Sequence, residues 1–205
     1  QTTGPNNITY TYDAAGRQAS KYDGTYTTLN NWRYADMLYS IESDDPGVPD
    51  VTYLYGGNGL KRSRQTDTEY DWYNWSGLQL IQAEDDQGAL TDTYVHHPFR
   101  IWGSTLADIS DGTPSTGTAR YYTHDMLGST RGVWNGSKAQ IGAWEPTPFG
   151  DTYTNTLPAD ILHRFTGQVY DPVTDLNYFA FRHYSPGQAR WLSPEPFGID
   201  GPNLY

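Results

Sequence analysis

A repeated frame of tyrosines and turn residues constrains this chain more than any other feature. Residues 10–16 and 53–59 both read Tyr-x-Tyr followed by a four-residue turn that ends in Gly, and the two copies begin 43 positions apart. A similar Asp-x-x-Gly signal stands at 85–88. Tyrosines at alternate strand positions share one face of a sheet. The Asp carboxylate accepts hydrogen bonds inside the turn, and Gly takes the positive φ. The frame therefore predicts β-hairpins, with Tyr10, Tyr12, Tyr53 and Tyr55 on one face.

Short strand-like segments separated by Gly, Pro, Asp and Asn continue along the whole chain. This pattern predicts an all-β fold of consecutive antiparallel hairpins. The one segment that favours a helix is 158–164, because Pro158 suits the first helical position, and that helix is expected to have at most a turn or two. The predicted strands are 8–12, 51–55, 78–81, 91–95, 119–123, 132–134, 176–182 and 190–192.

Composition supports the same fold class and limits the function. The chain has 21 Gly and 13 Pro among 205 residues, which excludes a helical bundle. No run approaches the roughly 18 apolar residues that a membrane helix needs, so no membrane span is expected. The net charge of −11 makes nucleic acid an unfavourable partner, and the short basic segment 61–64 does not reverse it. With no Cys, disulfides and thiolate sites are excluded.

The N-terminus carries none of the features of a secretion signal. The first five residues contain neither a basic nor an apolar region, and the first residue is Gln1 rather than Met. We therefore expect the chain to be a fragment or a processed product of a longer protein.

The second half of the chain carries an ordered series of motifs that resembles a known family. Residues 121–205 resemble the Rhs repeat-associated core, and residues 1–120 resemble the Tyr-Asp (YD) repeats of bacterial Rhs proteins, toxin-complex C subunits and teneurins. The chain is therefore expected to divide at that position into repeat hairpins and core. The motifs are Tyr-Tyr-Thr-His-Asp-Met-Leu-Gly-Ser-Thr-Arg at 121–131, Pro-Phe-Gly at 148–150, Arg-Phe-Thr-Gly-Gln at 164–168, Tyr-Asp-Pro at 170–172, 176–184, Arg-Trp-Leu-Ser-Pro-Glu-Pro-Phe-Gly at 190–198 and Asn-Leu-Tyr at 203–205.

The resemblance implies an architecture and a function. In this family a long β-sheet spirals into a hollow shell that encloses a polypeptide, usually a C-terminal toxin. The leading interpretation is thus a structural shell segment of a secreted or cell-surface protein, with its own C-terminal polypeptide or cargo as partner. One alternative is a self-cleaving, aspartyl-protease-like core that releases the cargo. Another is an extracellular adhesion or self-assembly module, because open sheet edges recruit further strands.

Arg182 and Glu195 are the catalytic residues that the resemblance indicates. Self-cleaving relatives use two acidic groups and an Arg to activate a water, and these two residues fall on the positions of that Arg and of the first Asp. Two neighbouring carboxyls are needed so that one stays protonated while the other acts as the base. The second acid of the family lies beyond Tyr205, so this chain is not expected to complete the pair. A structural ion pair between Arg182 and Glu195 is the favoured interpretation, and no enzymatic activity is expected of the chain.

Acidic residues around 160–175 do not form a metal motif. Asp160, Asp171 and Asp175 lack the short alternating spacing of a Ca²⁺ loop, and aspartates populate turns for backbone reasons. No metal site and no cofactor are predicted.

A hydrolase triad of Ser129, His124 and Asp125 is the other catalytic arrangement that the sequence offers. No Gly-x-Ser-x-Gly turn surrounds the serine, so we interpret these residues as structural. The aromatic group Trp72, Tyr73 and Trp75 would suit stacking on a carbohydrate. Cross-strand pairing is the simpler interpretation of that group.

Overall fold

The all-β prediction is confirmed in the computed structural model, which has 54% strand and 4% helix. The structure describes residues 7–34, 36–98, 104–111 and 115–195, together with the backbone of residues 2–3. The motifs at 196–198 and 203–205 lie outside this part of the chain. Within it, no helix is both long and apolar enough to cross a membrane.

Fifteen strands form one continuous antiparallel sheet in which each strand pairs with its neighbours in sequence. The predicted division at 120/121 falls inside a strand of this sheet and stays a prediction. The strands are β1 Thr2–Thr3, β2 Thr9–Tyr12, β3 Gln18–Tyr22, β4 Thr27–Arg33, β5 Met37–Ser43, β6 Val51–Tyr55, β7 Lys61–Gln65, β8 Tyr70–Ser76, β9 Gln79–Glu84, β10 Leu90–His96, β11 Thr105–Ser110, β12 Thr118–His124, β13 Thr130–Asn135, β14 Gln140–Pro146 and β15 Thr152–Asn155.

The Asp-x-x-Gly frame closes these hairpins as predicted. Asp13 Oδ1 accepts hydrogen bonds from the backbone N–H groups of Ala15 and Arg17 at 2.9 and 3.0 Å. Gly16 has φ +81°, and the equivalent glycines of the later turns also have positive φ. The ladder shifts register beside this turn, between Thr11 and Tyr12. Such a β-bulge bends a strand and increases its twist. Similar shifts stand beside the turns at 56–59, 85–88, 125–128, 135–138 and 147–150.

A second, four-stranded antiparallel sheet follows, which we call the small sheet. The prediction of one strand over 176–182 is wrong, because Ala180 takes φ +51° and the chain reverses there. The strands are β16 Val169–Asp171, β17 Leu176–Phe179, β18 Arg182–Ser185 and β19 Arg190–Trp191.

The segment 158–164, predicted to form at most a turn or two of helix, forms one hydrogen-bonded turn, in which the Ile161 N–H donates to the Pro158 carbonyl at 3.2 Å. The next residues bond to the large sheet instead: the Thr130 hydroxyl donates to the carbonyl of His163, and the Thr130 N–H donates to the carbonyl of Arg164. These tertiary hydrogen bonds outweigh the helix preference of the segment.

One face of the large sheet packs against residues 157–192, which contain the small sheet. Strands spaced about 4.8 Å apart would put β3 and β14 about 50 Å apart in a flat sheet. Gln18 on β3 nevertheless bonds to Leu192, and Phe149 beside β14 bonds to Tyr184, which is paired with the neighbouring Trp191. Both ends therefore meet the small sheet at adjacent points, so the large sheet curves around it. We call the contacting side the inner face. Tyr53 and Tyr55 both lie on it, as predicted. The buried apolar residues form three clusters along this face: Leu38, Ile41, Val51, Tyr53, Leu176 and Leu192; Tyr73, Leu80, Ala83, Tyr94, Val169 and Tyr178; and Tyr122, Val133, Trp144, Leu157 and Ile161.

Candidate functional site

Two groups of buried charged residues interrupt the apolar inner face. The first joins β6 and β7 to the small sheet, and we call it the Asp171 cluster: Tyr53, Lys61, Arg64, Asp171 and Tyr178. Sheet register explains how it forms. The bulge in β6 puts Lys61 opposite Tyr55, and Arg64 lies opposite Tyr53, so both cations share the inner face with the tyrosines.

Asp171 is the anion at the centre of this cluster. Its carboxylate accepts a hydrogen bond from the Tyr53 hydroxyl at 2.6 Å and pairs with Arg64 Nε at 3.1 Å. Burial and the neighbouring Asp171 charge raise the pKa of Tyr53 well above its ordinary value, so the phenol stays a donor. The arrangement links strands that are 118 positions apart in the chain.

Lys61 is the second buried cation of the Asp171 cluster. Its ammonium lies 4.1 Å from the centre of the Tyr53 ring and 4.5 Å from that of Tyr178. Its backbone N–H also donates to the Tyr178 hydroxyl at 2.9 Å. Burial lowers the pKa of Lys61 to about 7, and Asp171 offsets the loss of solvation only in part. The amine is therefore expected to titrate near neutral pH.

The second group, the Arg120 cluster, consists of Asp92, Asp108, Arg120 and Tyr122 on β10 to β12 together with Asp160, an exposed residue in the turn after β15. Arg120 lies directly opposite Asp108 in the ladder. Its guanidinium binds the Asp108 carboxylate through Nε at 2.8 Å and Nη2 at 2.7 Å, which is the bidentate geometry of a strong pair. Nη2 also contacts Asp92 at 3.2 Å, and Nη1 contacts Asp160.

The Arg120 cluster holds more acid than base. The Asp108 side chain is fully buried and also accepts a hydrogen bond from Tyr122 at 2.6 Å. Burial raises the pKa of Asp92 to about 7, since the attraction of Arg120 is opposed by Asp108 and Asp160. One guanidinium thus serves three carboxylates, one of which carries a proton for part of the time at neutral pH.

Buried histidines lie beside these clusters. His163 packs edge-on against Tyr94, with ring centres 4.4 Å apart, and His183 lies 5.3 Å from both Tyr53 and Tyr178. Burial lowers the pKa of both histidines well below the ordinary value. Both rings are therefore neutral near pH 7 and contribute packing rather than charge.

Arg182 and Glu195 form the ion pair that the sequence analysis favours. The guanidinium and the carboxylate are 2.7 Å apart, and the same guanidinium lies 4.0 Å from the centre of the Trp191 ring. Burial lowers the pKa of Arg182, and Glu195 acts against that change. The contact closes the last hairpin on itself. A catalytic role for the two residues stays a prediction.

The structure does not assemble the hydrolase triad. Ser129 is fully buried and its hydroxyl accepts a hydrogen bond from the N–H of Thr166. Asp125 accepts from the N–H groups of Leu127 and Ser129, as a turn residue does. His124 stacks on Tyr122. The structural interpretation of these residues therefore agrees with their contacts.

Asp160, Asp171 and Asp175 each contact a different partner. Asp160 pairs with Arg120, Asp171 with Arg64, and Asp175 accepts from the Tyr170 hydroxyl. Over the ranges that the structure describes, no three His, Asp or Glu side chains are arranged to hold a metal ion.

The aromatic group 72–75 does not form one exposed platform. Tyr73 is buried in the core, and Trp75 packs edge-on against Tyr178 from the inner face, with its indole N–H donating to the Lys61 carbonyl at 2.6 Å. Trp72 packs instead against Tyr70. Carbohydrate binding by this group stays a prediction.

Sequence reasoning missed Asp92, Asp108 and Arg120. A usable signal was present. Asp92 stands two positions before the inward Tyr94, and Arg120 stands two positions before the inward Tyr122, so both charged side chains point to the buried face of their strands. Oppositely charged residues on the buried face of nearby strands indicate a buried ion pair.

Comparison with known proteins supports the family resemblance. No protein-family model matches the chain. It is 26% identical to double-stranded DNA deaminase toxin A of Burkholderia cenocepacia (strain H111), over 97% of the chain and 16% of that toxin. It is 34% identical to toxin subunit YenC1 of Yersinia entomophaga, over 95% of the chain and 22% of that subunit. The fold matches a chain in the crystal structure of TcdB2-TccC3-TEV with a TM-score of 0.68 at 23% identity, over 95% of this chain and 10% of that one.

The curved sheet of hairpins is the fold of a β-shell wall, and these matches extend over almost the whole chain. Together with the repeat frame and the ordered motifs of 121–195, they show that the chain belongs to the Rhs/YD-repeat proteins. The chain spans less than a quarter of the length of each protein named above.

Proposed function

We propose that this chain is a wall segment of a β-shell in a secreted or cell-surface Rhs/YD-repeat protein, and that the shell encloses a polypeptide such as the protein's own C-terminal region. The observation that supports this most is the continuous 15-stranded sheet that curves around the small sheet. Twisted open sheets of more than about ten strands usually curl, split into two sheets or flatten, and this one curls. The names of the related proteins, a toxin and a toxin subunit, agree with a role in carrying a toxic polypeptide.

The small sheet is attached to the wall by hydrogen bonds and ion pairs as well as by apolar contacts. The Gln18 N–H donates to the Leu192 carbonyl at 2.8 Å, and the Tyr184 hydroxyl donates to the Phe149 carbonyl at 2.9 Å. The pair of Arg64 and Asp171 adds a buried charge contact. These contacts hold the wall in a curved form, which an enclosing function requires.

Protease protection in the full-length parent protein tests enclosure. We expect the C-terminal polypeptide to resist a protease that digests the same polypeptide in isolation. Arg64→Leu removes the contact to Asp171 and should make the polypeptide more sensitive. Arg62→Leu is the matched control, because Arg62 lies on the same strand but is exposed. Equal digestion of the enclosed and isolated polypeptide would contradict the proposal.

We further propose that Arg182 and Glu195 stabilise the last hairpin rather than cut the chain. The 2.7 Å contact and the packing on Trp191 support this role. Glu195→Gln should lower stability by at most about 1 kcal/mol, because the carboxylate is one-third exposed. Mass spectrometry of the parent protein measures separately whether the chain is cut. A wild-type chain that is cut beside a Glu195→Gln chain that folds and stays whole would contradict this assignment.

Self-association is a second candidate function, and the last strand of the large sheet favours it. All four residues of β15 are exposed, and Tyr153 is 77% exposed. Within the described residues β15 pairs only with β14, so its other edge is open to another strand.

Tyr153→Lys should reduce any concentration-dependent rise in mass measured by light scattering. Tyr34→Lys, at an equally exposed tyrosine in the turn after β4, is the control. A mass that does not depend on concentration would exclude this function for the chain.

A further inference from the structure

Four of the five histidines lie where residues 157–192, which we call the docked segment, pack against the large sheet. His96 and His124 belong to β10 and β12, and His163 and His183 belong to the docked segment. The fifth, His97, is half-buried in the turn after β10. Histidine is the side chain that ordinarily changes charge between pH 5 and 8, so a change of pH would act at this contact.

His163 is buried against the large sheet, with 2% of its surface exposed. The centre of its ring lies 4.4 Å from that of Tyr94 and 5.3 Å from that of His96. In the part of the chain that the structure describes, its Nδ1 has no hydrogen-bond partner. Burial, His96 and His124 all lower the pKa of His163. A protonated imidazole carries an N–H on both nitrogens, so the added charge would include a buried donor without an acceptor.

His183 is in the same position at the other end of the docked segment. It is also 2% exposed, and its ring lies 5.3 Å from those of Tyr53 on the large sheet and Tyr178 on the small sheet. Its Nε2 has no hydrogen-bond partner among the described residues. Burial and then the charge of Lys61 lower the pKa of His183. Protonation of this ring would therefore also create a buried, unpaired charge.

The charged groups beside His183 do not compensate for that charge. Asp171 already binds the Tyr53 hydroxyl and the Arg64 guanidinium. Lys61 has a pKa of about 7, so as the pH falls it gains its own proton before His183 does. A proton on His183 would then add another cation next to a charged ammonium, which raises its cost.

His96 differs from these two rings because both of its nitrogens have partners. Its Nε2 lies 2.6 Å from the Leu80 carbonyl oxygen, and its Nδ1 lies 3.3 Å from the Thr105 hydroxyl. A protonated His96 therefore keeps its hydrogen bonds within the large sheet. Its positive charge would act against a second charge on His163, whose ring faces it from the docked segment.

We propose that His163 and His183 form an acid-sensitive latch that holds the docked segment on the inner face at neutral pH and releases it in mild acid. Neutral rings pack against the tyrosines of the wall. A protonated ring needs water or an acceptor, and it reaches water only if the docked segment moves off the wall. The wall itself has its own ladder hydrogen bonds between neighbouring strands, so separation at this contact does not require its hairpins to unfold.

The sign and size of the effect follow from the two protonation states. A histidine in water has a pKa of about 6.5, and the docked rings have lower values. The undocked state therefore binds more protons as the pH falls, and acid favours it. Between pH 7 and 5.5 each ring should raise the ratio of undocked to docked chains about 8-fold, and the two together about 60-fold.

One group near the contact acts in the opposite direction. Asp92 has a pKa of about 7, so it takes up a proton in the docked state as the pH falls. Its neighbours Asp108 and Arg120 lie on the wall with it, and only Asp160 belongs to the docked segment. Undocking leaves most of these surroundings in place, so Asp92 should oppose the two histidines only in part. In an Asp92→Asn chain this opposing effect is absent.

The latch is a property of the chain itself and does not depend on what the shell encloses. The proposed function requires the docked segment to hold the wall in its curved form at neutral pH. Hydrogen exchange in the 205-residue chain tests the latch alone, and the protease experiment in the parent protein tests enclosure alone.

The test is amide hydrogen exchange measured by NMR between pH 7 and 5.5, with each rate divided by that of an unprotected amide at the same pH. The Gln18 N–H donates to the Leu192 carbonyl and the Lys61 N–H to the Tyr178 hydroxyl, so both amides lose their partner on undocking. The Asp111 N–H donates to the Thr91 carbonyl within the wall. We expect acid to reduce the protection of Gln18 and Lys61 and to leave that of Asp111 unchanged. An equal loss at all three amides would mean that acid unfolds the whole chain and would overturn the latch.

Variants assign the effect to the two rings. His163→Leu and His183→Leu each remove a titrating ring and keep an apolar side chain of similar size, so each should make the loss of protection at pH 5.5 about 8-fold smaller than in the wild type. His97→Leu is the matched control, because it removes an imidazole from the turn after β10, and it should leave the loss unchanged. A reduction in His97→Leu equal to that in the other two, or no reduction in any of them, would overturn the assignment.

The Asp92→Asn chain keeps the proposal testable if the histidine variants do not fold. It retains both histidines and lacks the opposing carboxylate, so it should show a loss of protection at Gln18 and Lys61 that approaches 60-fold between pH 7 and 5.5. Constant protection of these two amides in the Asp92→Asn chain would overturn the latch without any histidine variant.

Discussion

The Asp171 cluster and the Arg120 cluster both place ionisable groups on the inner face, and they differ in the sign of the charge at the centre. In the first, Lys61 and Arg64 lie around the Asp171 carboxylate, and in the second, Asp92 and Asp108 lie around the Arg120 guanidinium. Each cluster contains one group with a pKa of about 7: Lys61 in the first and Asp92 in the second. Desolvation is the main cause in both cases, because burial favours the neutral form of a cation and of a carboxylate alike. The comparison indicates that the same burial gives the two clusters opposite pH dependence.

The largest expected effect is that of Arg120→Leu. The substitution leaves Asp108 fully buried without a cation and removes the contacts to Asp92 and Asp160. Breaking a buried pair on one side costs about 3–5 kcal/mol. Chemical denaturation should show a loss of that size, whereas the exposed Arg62→Leu should change stability little. A loss below about 1 kcal/mol, which is the cost of losing an exposed pair, would contradict the description of this contact as a buried ion pair.

Asp171→Asn should cost less, about 2 kcal/mol, although it also removes the central charge of its cluster. Arg64 retains Glu69 at 2.9 Å and Asp71 at 3.0 Å, so it is not left alone. Asparagine also still accepts from Tyr53. The loss of unfolding free energy is measured by the same denaturation. A loss equal to that of Arg120→Leu would show that Glu69 and Asp71 do not compensate Arg64 for the missing Asp171 charge.

Lys61→Met should alter the pH dependence more than the stability at neutral pH. The folded pKa of about 7 lies below the unfolded value of about 10.4, so the unfolded state holds more protons between these values. The unfolding free energy of the wild type should therefore gain up to about 1.4 kcal/mol per pH unit from this group as pH rises from 7 to 10. Denaturation at several pH values should show that Lys61→Met lacks this gain. If the unfolding free energies of the two proteins depend equally on pH, the Lys61 ammonium is in contact with water.

Asp92→Asn tests a group that should change the pH dependence of stability in the opposite direction to Lys61. The folded pKa of about 7 lies above the unfolded value of about 3.9, so here the folded state holds more protons between them. This group should lower the stability of the wild type as pH rises from about 4 to 7, and the loss should be absent in the variant. Asparagine still accepts from Arg120, so the variant keeps this hydrogen bond and loses only the titrating group. A variant less stable than the wild type at pH 8 would show that the attraction of Arg120 exceeds the desolvation of Asp92.

Local features of the fold could be predicted from the sequence, and distant contacts could not. The turn at 13–16 is set by one Asp and one Gly within four residues, and Tyr53 and Tyr55 take the inner face by strand alternation alone. Lys61 and Tyr178 meet only because the sheet curves, and no local pattern records that curvature. The segment 158–164 stops after one turn for the same reason, since its later carbonyls bond to Thr130 on β13. The pairing of Arg182 with Glu195 came from the family resemblance, because no local pattern in the sequence connects the two residues.

The neighbour-to-neighbour order of the large sheet has a consequence for how the chain folds. Each hairpin of β2 to β15 closes on residues close in sequence, and contacts of that kind form fast. The small sheet makes contacts such as those between Lys61 and Tyr178 or between Tyr12 and Arg190, which are 117 and 178 positions apart. We therefore expect the wall to form progressively from its N-terminal end during synthesis. Docking of the small sheet would then be the late, slow step, and it would fix the curvature that the bulged hairpins begin.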